Sequence, residues 1–286
     1  MRRRLLAWLA LAALAACAPR PEPAHPAFWQ IEGPHGERGW LLGTIHALAR
    51  PAAWQSPAID RALANADVIA VEIANLDDNA AMAGAYARLS TSAGLPPLFA
   101  RIDPALRKPL RSLIERSGRS EADFAGMETW AAALTLARAG AGSLDSANGI
   151  DRAVLRRAKG KPVVELEGAE RQLGLFDALP EREQRDLLDT VVRDDGRDSG
   201  EAGLAEAWRN GDFATIEAET RRGMLADPEL REALFTGRNR AWTTRIAGML
   251  QQGQRPFVAV GAAHMAGDEG LPAMLRARGF RVTRIQ

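Results

Sequence analysis

The chain has 286 residues, 47% of them hydrophobic and 26% charged, enough for one large domain or two small ones. Its 37 basic and 36 acidic residues leave a net charge of +1. That balance excludes the basic footprint of a nucleic-acid binder and the acidic run of a solvating tail, so no nucleic-acid partner is expected.

Arg2, Arg3 and Arg4 precede a short apolar run from Leu5 to Leu14, which leads to Leu14-Ala15-Ala16-Cys17. The run is about half of what a membrane-spanning helix needs, so residues 1–17 read as a signal peptide. Leu-Ala-Ala-Cys resembles the bacterial lipobox, in which the cysteine is acylated and becomes the mature N-terminus. This predicts an exported protein anchored to the membrane through Cys17. Ala18, in the place where an Asp would signal inner-membrane retention, points to the periplasmic face of the outer membrane. Cys17 is the sole cysteine, which leaves no intrachain disulfide to form. Residues 18–27 are proline-rich and read as an extended tether, with His25 a solvated linker residue.

The domain proper is expected over residues 28–286. Phe28–Glu32 and Trp40–Ile45 read as strands joined by a Gly/Pro-punctuated turn that contains His35. Ser56-Pro57 opens a helix to about Asn65, and the apolar run near Val68–Val71 suits a strand buried on both faces. Helical periodicity covers 76–90, 104–117, 120–139 and 151–159, then 169–178, 181–193, 200–210, 212–226 and 228–251. A strand near 162–167 interrupts these helices. A strand at 257–260, a helix at 271–278 and a strand at 281–285 close the chain. The pattern predicts an α/β fold: a mostly parallel central sheet flanked by helices, with a helical insertion over about 76–250. Trp29, Trp40, Trp54, Trp130, Trp208 and Trp242 are expected in the core and between helices.

Chemistry-bearing residues stand after each buried strand: His46 after Trp40–Ile45, Glu72 after Val68–Val71, Glu167 after Val163–Leu166, and His264 after Phe257–Val260. In open α/β sheets the ligand crevice lies outside the strand carboxyl ends, so these four converge if the strands are neighbours in one parallel sheet. Two imidazoles with one or two carboxylates form a common ligand set for zinc, manganese or iron, with a position left open for water. A carboxylate outside that set could act as general base. Glu165 and Glu167 alternate along one strand and face opposite ways, and Glu167 is favoured because it lies at the strand terminus. The competing reading of each residue is structural: a histidine bonded to a carbonyl, or a strand-end surface glutamate.

Gly43-Thr44-Ile45-His46, Val71-Glu72 and Gly261-Ala262-Ala263-His264 together resemble the TraB/GumN family, related to the Tiki proteins, whose hallmark is two Gly-x-x-His motifs near the ends of the domain. Gly149-Ile150-Asp151, Gly160-Lys161-Pro162-Val163 with Leu166-Glu167, Arg238-Asn239 and the C-terminal His264-Met265-Ala266-Gly267 fit the same pattern, and the likeness covers about 28–286. The resemblance implies a fold similar to erythromycin-esterase-like and ChaN-like proteins. It also implies a metal-dependent hydrolase of the peptidase kind, with zinc, manganese or cobalt as cofactor. Carried over by position, His46, Glu72 and His264 would bind the metal, and Glu72, Glu167 and Arg238 would be catalytic, Arg238 by stabilising an anion. The structural reading of Arg238 is a salt bridge within or between helices. The substrate would be a peptide or another small molecule. The alternative is a non-catalytic envelope protein that binds a peptide, a polysaccharide-pathway component or a porphyrin.

Overall fold

The structure, a computed structural model, describes residues 20–140, 143–158, 160–195 and 201–286. The expected signal segment 1–17, with Cys17, and Ala18 lie outside the described residues. Among the described residues, no helix is long and apolar enough to cross a membrane.

The chain forms a mixed α/β fold around one six-stranded sheet. In chain order the strands are β1 (Glu22–Pro23), β2 (Phe28–Glu32), β3 (Arg38–Thr44), β4 (Ala52–Ala53), β5 (Val68–Val71), β6 (Val163–Glu165), β7 (Pro256–Gly261) and β8 (Arg281–Arg284). The main sheet has the order β6-β5-β7-β3-β2-β8. β6, β5, β7 and β3 are mutually parallel, and β2 pairs antiparallel with both β3 and β8. The four strands that precede His46, Glu72, Glu167 and His264 are therefore consecutive neighbours, with all their carboxyl ends at one edge. β1 and β4 form a separate two-residue pair. The tether expected over 18–27 is not free from Glu22 onward. β1 is hydrogen-bonded to β4, His25 N–H donates to the Arg209 carbonyl at 2.9 Å, and Ala24 and Ala27 are buried.

β5 and β7 are buried along their whole length, as strands covered on both faces must be. One face of the sheet presents Leu42, Ile69, Val71, Phe257 and Ala259 to the helices Pro57–Asn65 and Ile150–Ala158 and to Trp208. The other presents Leu41, Ala70, Val258 and Val260 to Trp242, Ile246 and Leu250 of the helix Gly237–Gln251 and to Leu271 and Leu275. Each such aliphatic or aromatic side chain contributes about 1.5–3 kcal/mol when fully buried, so the two faces together hold the sheet. The helices between β5 and β7 build a third apolar cluster of their own, with Leu110, Leu113, Phe124, Trp130, Leu187 and Leu230.

Two predicted helices are broken. The expected 120–139 helix is a 3₁₀ turn at Glu121–Phe124 and a helix at Thr129–Gly140, separated at Gly126, whose φ of 73° lies in the left-handed region. The expected 212–226 helix ends at Glu219, and Gly223, at φ 54°, starts a 3₁₀ turn. The expected 228–251 helix is continuous but not uniform: Pro228–Arg231 is α, Glu232–Thr236 is a π segment, and Gly237–Gln251 is α again. π segments of this kind re-aim the residues that follow, and Arg238 comes two residues after the end of this one.

Candidate functional site

Two layers of polar side chains gather at the carboxyl edge of the sheet. The outer layer begins with His46, two residues beyond β3. The helix Ile150–Ala158 docks beside it: Ile150 N–H donates to the Ile45 carbonyl at 2.9 Å. A Cβ on Gly149 would lie 2.3 Å from the His46 carbonyl oxygen, so a glycine is required for that approach. Docking places Asp151 in the first turn of the helix, where the macrodipole favours a carboxylate. Asp151 Oδ2 lies 2.9 Å from His46 Nδ1, and Oδ1 accepts from Thr44 Oγ1 at 2.6 Å. A carboxylate accepts, so His46 carries its proton on Nδ1 and turns Nε2 toward the site. Asp151 raises His46 to about 10, against partial desolvation of the ring and with help from Glu72. The His46 side chain is still 66% accessible, so solvent screens part of that pull.

The inner layer is built around Arg238, whose side chain is 10% exposed. Its Nε and Nη2 grip the Glu167 carboxylate in a fork at 2.9 and 2.8 Å, and Nη2 also donates to Glu72 Oε2 at 2.8 Å. Nη1 reaches the Leu234 carbonyl in the π segment and His264 Nε2, each at 3.2 Å. The guanidinium lies 4.6 Å over the Trp242 ring. Asn239, next in sequence, donates through Nδ2 to the Glu269 carbonyl at 2.7 Å, so its Oδ1 faces His264 Nδ1 at 2.7 Å. That chain of bonds makes Nδ1 the protonated nitrogen of His264 and leaves the lone pair of Nε2 to Arg238. The ring is packed between Phe235 and Trp242. Burial drives His264 down to about 3, with the charges of Arg238 and His46 adding to the effect, so it is neutral.

Glu72 joins the layers. Its other oxygen, Oε1, accepts from Gly261 N–H at 2.8 Å. Burial alone would raise this carboxyl, but the positive charges of His46 and Arg238 outweigh it and hold Glu72 below the ordinary glutamate value. A Cβ on Gly261 would sit 3.4 Å from Glu72 Oε1, 3.5 Å from His46 Nε2 and 3.8 Å from His264 Cδ2, so the bare glycine is where the three converge. Gly43 has a parallel use: a Cβ there would lie 3.1 Å from Ala262, and Trp208 Nε1–H donates to its carbonyl at 2.8 Å. A cavity of about 190 Å³ opens over the outer layer, lined by His46, Glu72, Asp151, Ser146, Arg152 and Gln172, with Val71, Ile73 and Leu76 as its apolar wall.

The structure thus brings together His46, Glu72, Glu167, Arg238 and His264. It puts His46 and Glu72 at the cavity, with Glu167, Arg238 and His264 in the layer beneath. Glu165 is directed elsewhere, accepting from Ala74 N–H at 2.8 Å, while Glu167 lies past the end of β6. Asp151, Asn239 and Thr44 were given no role by the sequence. The strings Gly149-Ile150-Asp151 and Arg238-Asn239 were the available signal for the first two.

A metal held by His46, Glu72 and His264 fits the donor chemistry but not the spacing. Both imidazoles tie Nδ1 to an acceptor, as metal-ligating histidines do. However, Arg238 already occupies His264 Nε2 and Glu72 Oε2, and Gly261 occupies Oε1. Among the described residues, the trio whose ligating atoms lie within 4.8 Å of one another is a different one, Glu183, Asp227 and Glu229.

Comparison with known proteins finds a match to the TraB/PrgY/gumN family over residues 27–284. The chain is 30% identical over 252 residues to the uncharacterized protein YbaP of Escherichia coli (strain K12), covering 82% of this chain and 87% of the relative. It is 29% identical over 259 residues to the uncharacterized protein YbaP of Shigella flexneri, covering 85% and 89%. No solved structure matches.

Proposed function

The chain belongs to the TraB/PrgY/gumN family, and from that premise we propose that it is a hydrolase working by proton transfer between His46 and Glu72. The observation that carries this is a pair of titratable groups on one cavity whose environments push them apart. Asp151 keeps a proton on His46, while the charges of His46 and Arg238 keep Glu72 ionised. Opposed environments of this kind mark an acid and a base.

In the proposed reaction, Glu72 takes a proton from a water that enters the cavity, and the water oxygen bonds to the acyl carbon of the substrate. His46 Nε2–H gives its proton to the leaving nitrogen or oxygen as that bond breaks. A proton then returns from Glu72 to His46 through solvent. Arg238 acts through Glu72, fixing its orientation and ionisation. The likeness to Tiki proteins suggests peptides as the substrate class. The apolar wall of Val71, Ile73 and Leu76 and the amide of Gln172 suit a chain with both side-chain and backbone groups.

The test is turnover of a fluorogenic peptide panel by wild type, His46→Ala and Glu72→Gln, with circular dichroism as a check on folding. General acid–base groups contribute about 10²–10⁴-fold each, and losses of that size are expected. Full turnover by either variant on a substrate that the wild type cleaves would sink the assignment. Binding of peptides with no turnover would transfer the reading to an envelope binding protein.

A second reading, favoured by the paired histidine tautomers, seats zinc, manganese or cobalt between His46, Glu72 and His264 once Arg238 withdraws. Metal analysis separates the two: about one ion per chain, lost in both His46→Ala and His264→Ala, supports the second reading, and none after reconstitution supports the first. We also propose that the protein works at the periplasmic face of the outer membrane, held there by acylated Cys17. Palmitate labelling that survives Cys17→Ser would overturn that placement.

A further inference from the structure

We propose that Glu183, Asp227 and Glu229 form a calcium-binding site, separate from the catalytic cavity, that clips the helix Glu181–Asp194 to the turn opening the helix Pro228–Arg231. Two observations meet here. The ligating atoms of the three carboxylates lie within 4.8 Å of one another. The Glu183 side chain is 3% exposed, and its Oε2 has no hydrogen-bond partner. A buried carboxylate oxygen with nothing to accept from is costly, and native structures rarely keep one without an ion or a donor to fill the place.

The local charges ask for a cation. The negative charges of Asp186, Asp227 and Glu229 all act on Glu183. Arg182 opposes them, pairing with Glu183 Oε1 and standing 3.8 Å from Glu229. Asp227 is fixed by the turn itself: its Oδ1 accepts from Glu229 N–H at 3.0 Å and Leu230 N–H at 2.9 Å. Those bonds position Glu229 and leave the other Asp227 oxygen for an ion. All donors are hard carboxylate oxygens, which suit calcium or magnesium better than zinc, whose sites favour nitrogen and sulfur. Three ligands from two elements, one of them 57% exposed, suit the irregular, water-completed shell of Ca²⁺ better than the octahedron of Mg²⁺. The clip would fasten the stretch that runs through Glu232–Thr236 to Arg238, so ion binding stabilises the segment that supports the site.

The test is calcium titration of the mature chain by calorimetry, with thermal melts in CaCl₂ against NaCl of equal ionic strength. The expected result is one Ca²⁺ per chain at a Kd on the order of 10⁻⁴–10⁻³ M, with a melting temperature that rises to a plateau. Glu183→Gln and Glu229→Gln should each remove both effects. Because Glu229 is on the surface, its variant keeps the test valid if Glu183→Gln folds poorly. No saturable binding up to about ten times that Kd range, or binding unchanged in both variants, overturns the proposal.

Discussion

Replacing Arg238 by Met keeps the aliphatic stem over Trp242 and removes the guanidinium from between Glu72 and Glu167. The two carboxylates are 7% and 4% exposed, so water replaces their lost partner only in part. Breaking a buried pair from one side costs about 3–5 kcal/mol, and here one cation serves two anions, so the upper part of that range is expected. A domain has about 5–15 kcal/mol in all, which places the variant near the edge of stability at neutral pH. The pH dependence supplies an independent check. In the wild type, Glu72 is held below its ordinary value, so its contribution is present above the unfolded pKa and is lost as pH falls through the folded one. Without Arg238, only His46 opposes burial, so Glu72 moves up from its lowered value, and the loss relative to wild type is greatest near pH 7 and shrinks as the carboxyl takes up a proton. Urea unfolding at pH 7 and pH 5 measures both effects. A loss under about 1 kcal/mol at pH 7, or one that stays constant between the two pH values, would refute the account of a charge-holding inner layer. Adding Glu167→Gln to the Met variant should restore part of the loss, because the orphaned charge goes with its partner.

Asp151→Asn should lower the His46 titration, followed by two-dimensional NMR, from about 10 toward the ordinary imidazole value near 6.5. Because the folded value is raised, this pair stabilises the wild type below about pH 6.5, and the gain fades as pH climbs toward 10; a His46 that titrates normally in the wild type contradicts the pairing. His264 should show the Nδ1–H tautomer and stay neutral from pH 8 to pH 5. Its depressed value of about 3 means that its contribution falls as pH drops below about 6.5. Gly149→Ala forces a methyl into the His46 carbonyl and should lower stability by about 1–3 kcal/mol while displacing Asp151, seen as loss of the downfield His46 Nδ1–H signal. A melting temperature equal to wild type would show that the close approach is not needed.

Strand positions were legible in the sequence because apolar runs bounded by Gly and Pro have few alternatives, and β5 and β7 are buried along their whole length. The placing of His46, Glu72 and His264 after those strands was equally local information, since a strand's end fixes which residue is delivered next. Glu167 was favoured for a reason that did not apply. β6 stops at Glu165, and it is the turn after it that aims Glu167 at Arg238. Helix breaks at Gly126 and Gly223 escaped because periodicity registers apolar spacing and not backbone handedness. What the tertiary structure alone decided was strand order, β6-β5-β7-β3, which turns four separate strand ends into one edge. It also decided how those residues are shared between two layers. Arg238 stands 166 positions from Glu72, yet a π segment 5 residues long rotates it onto Glu72, Glu167 and His264 together. Partnerships of that reach depend on long-range burial, where desolvation forces charges to find one another, and no local window of sequence records which partner will be found.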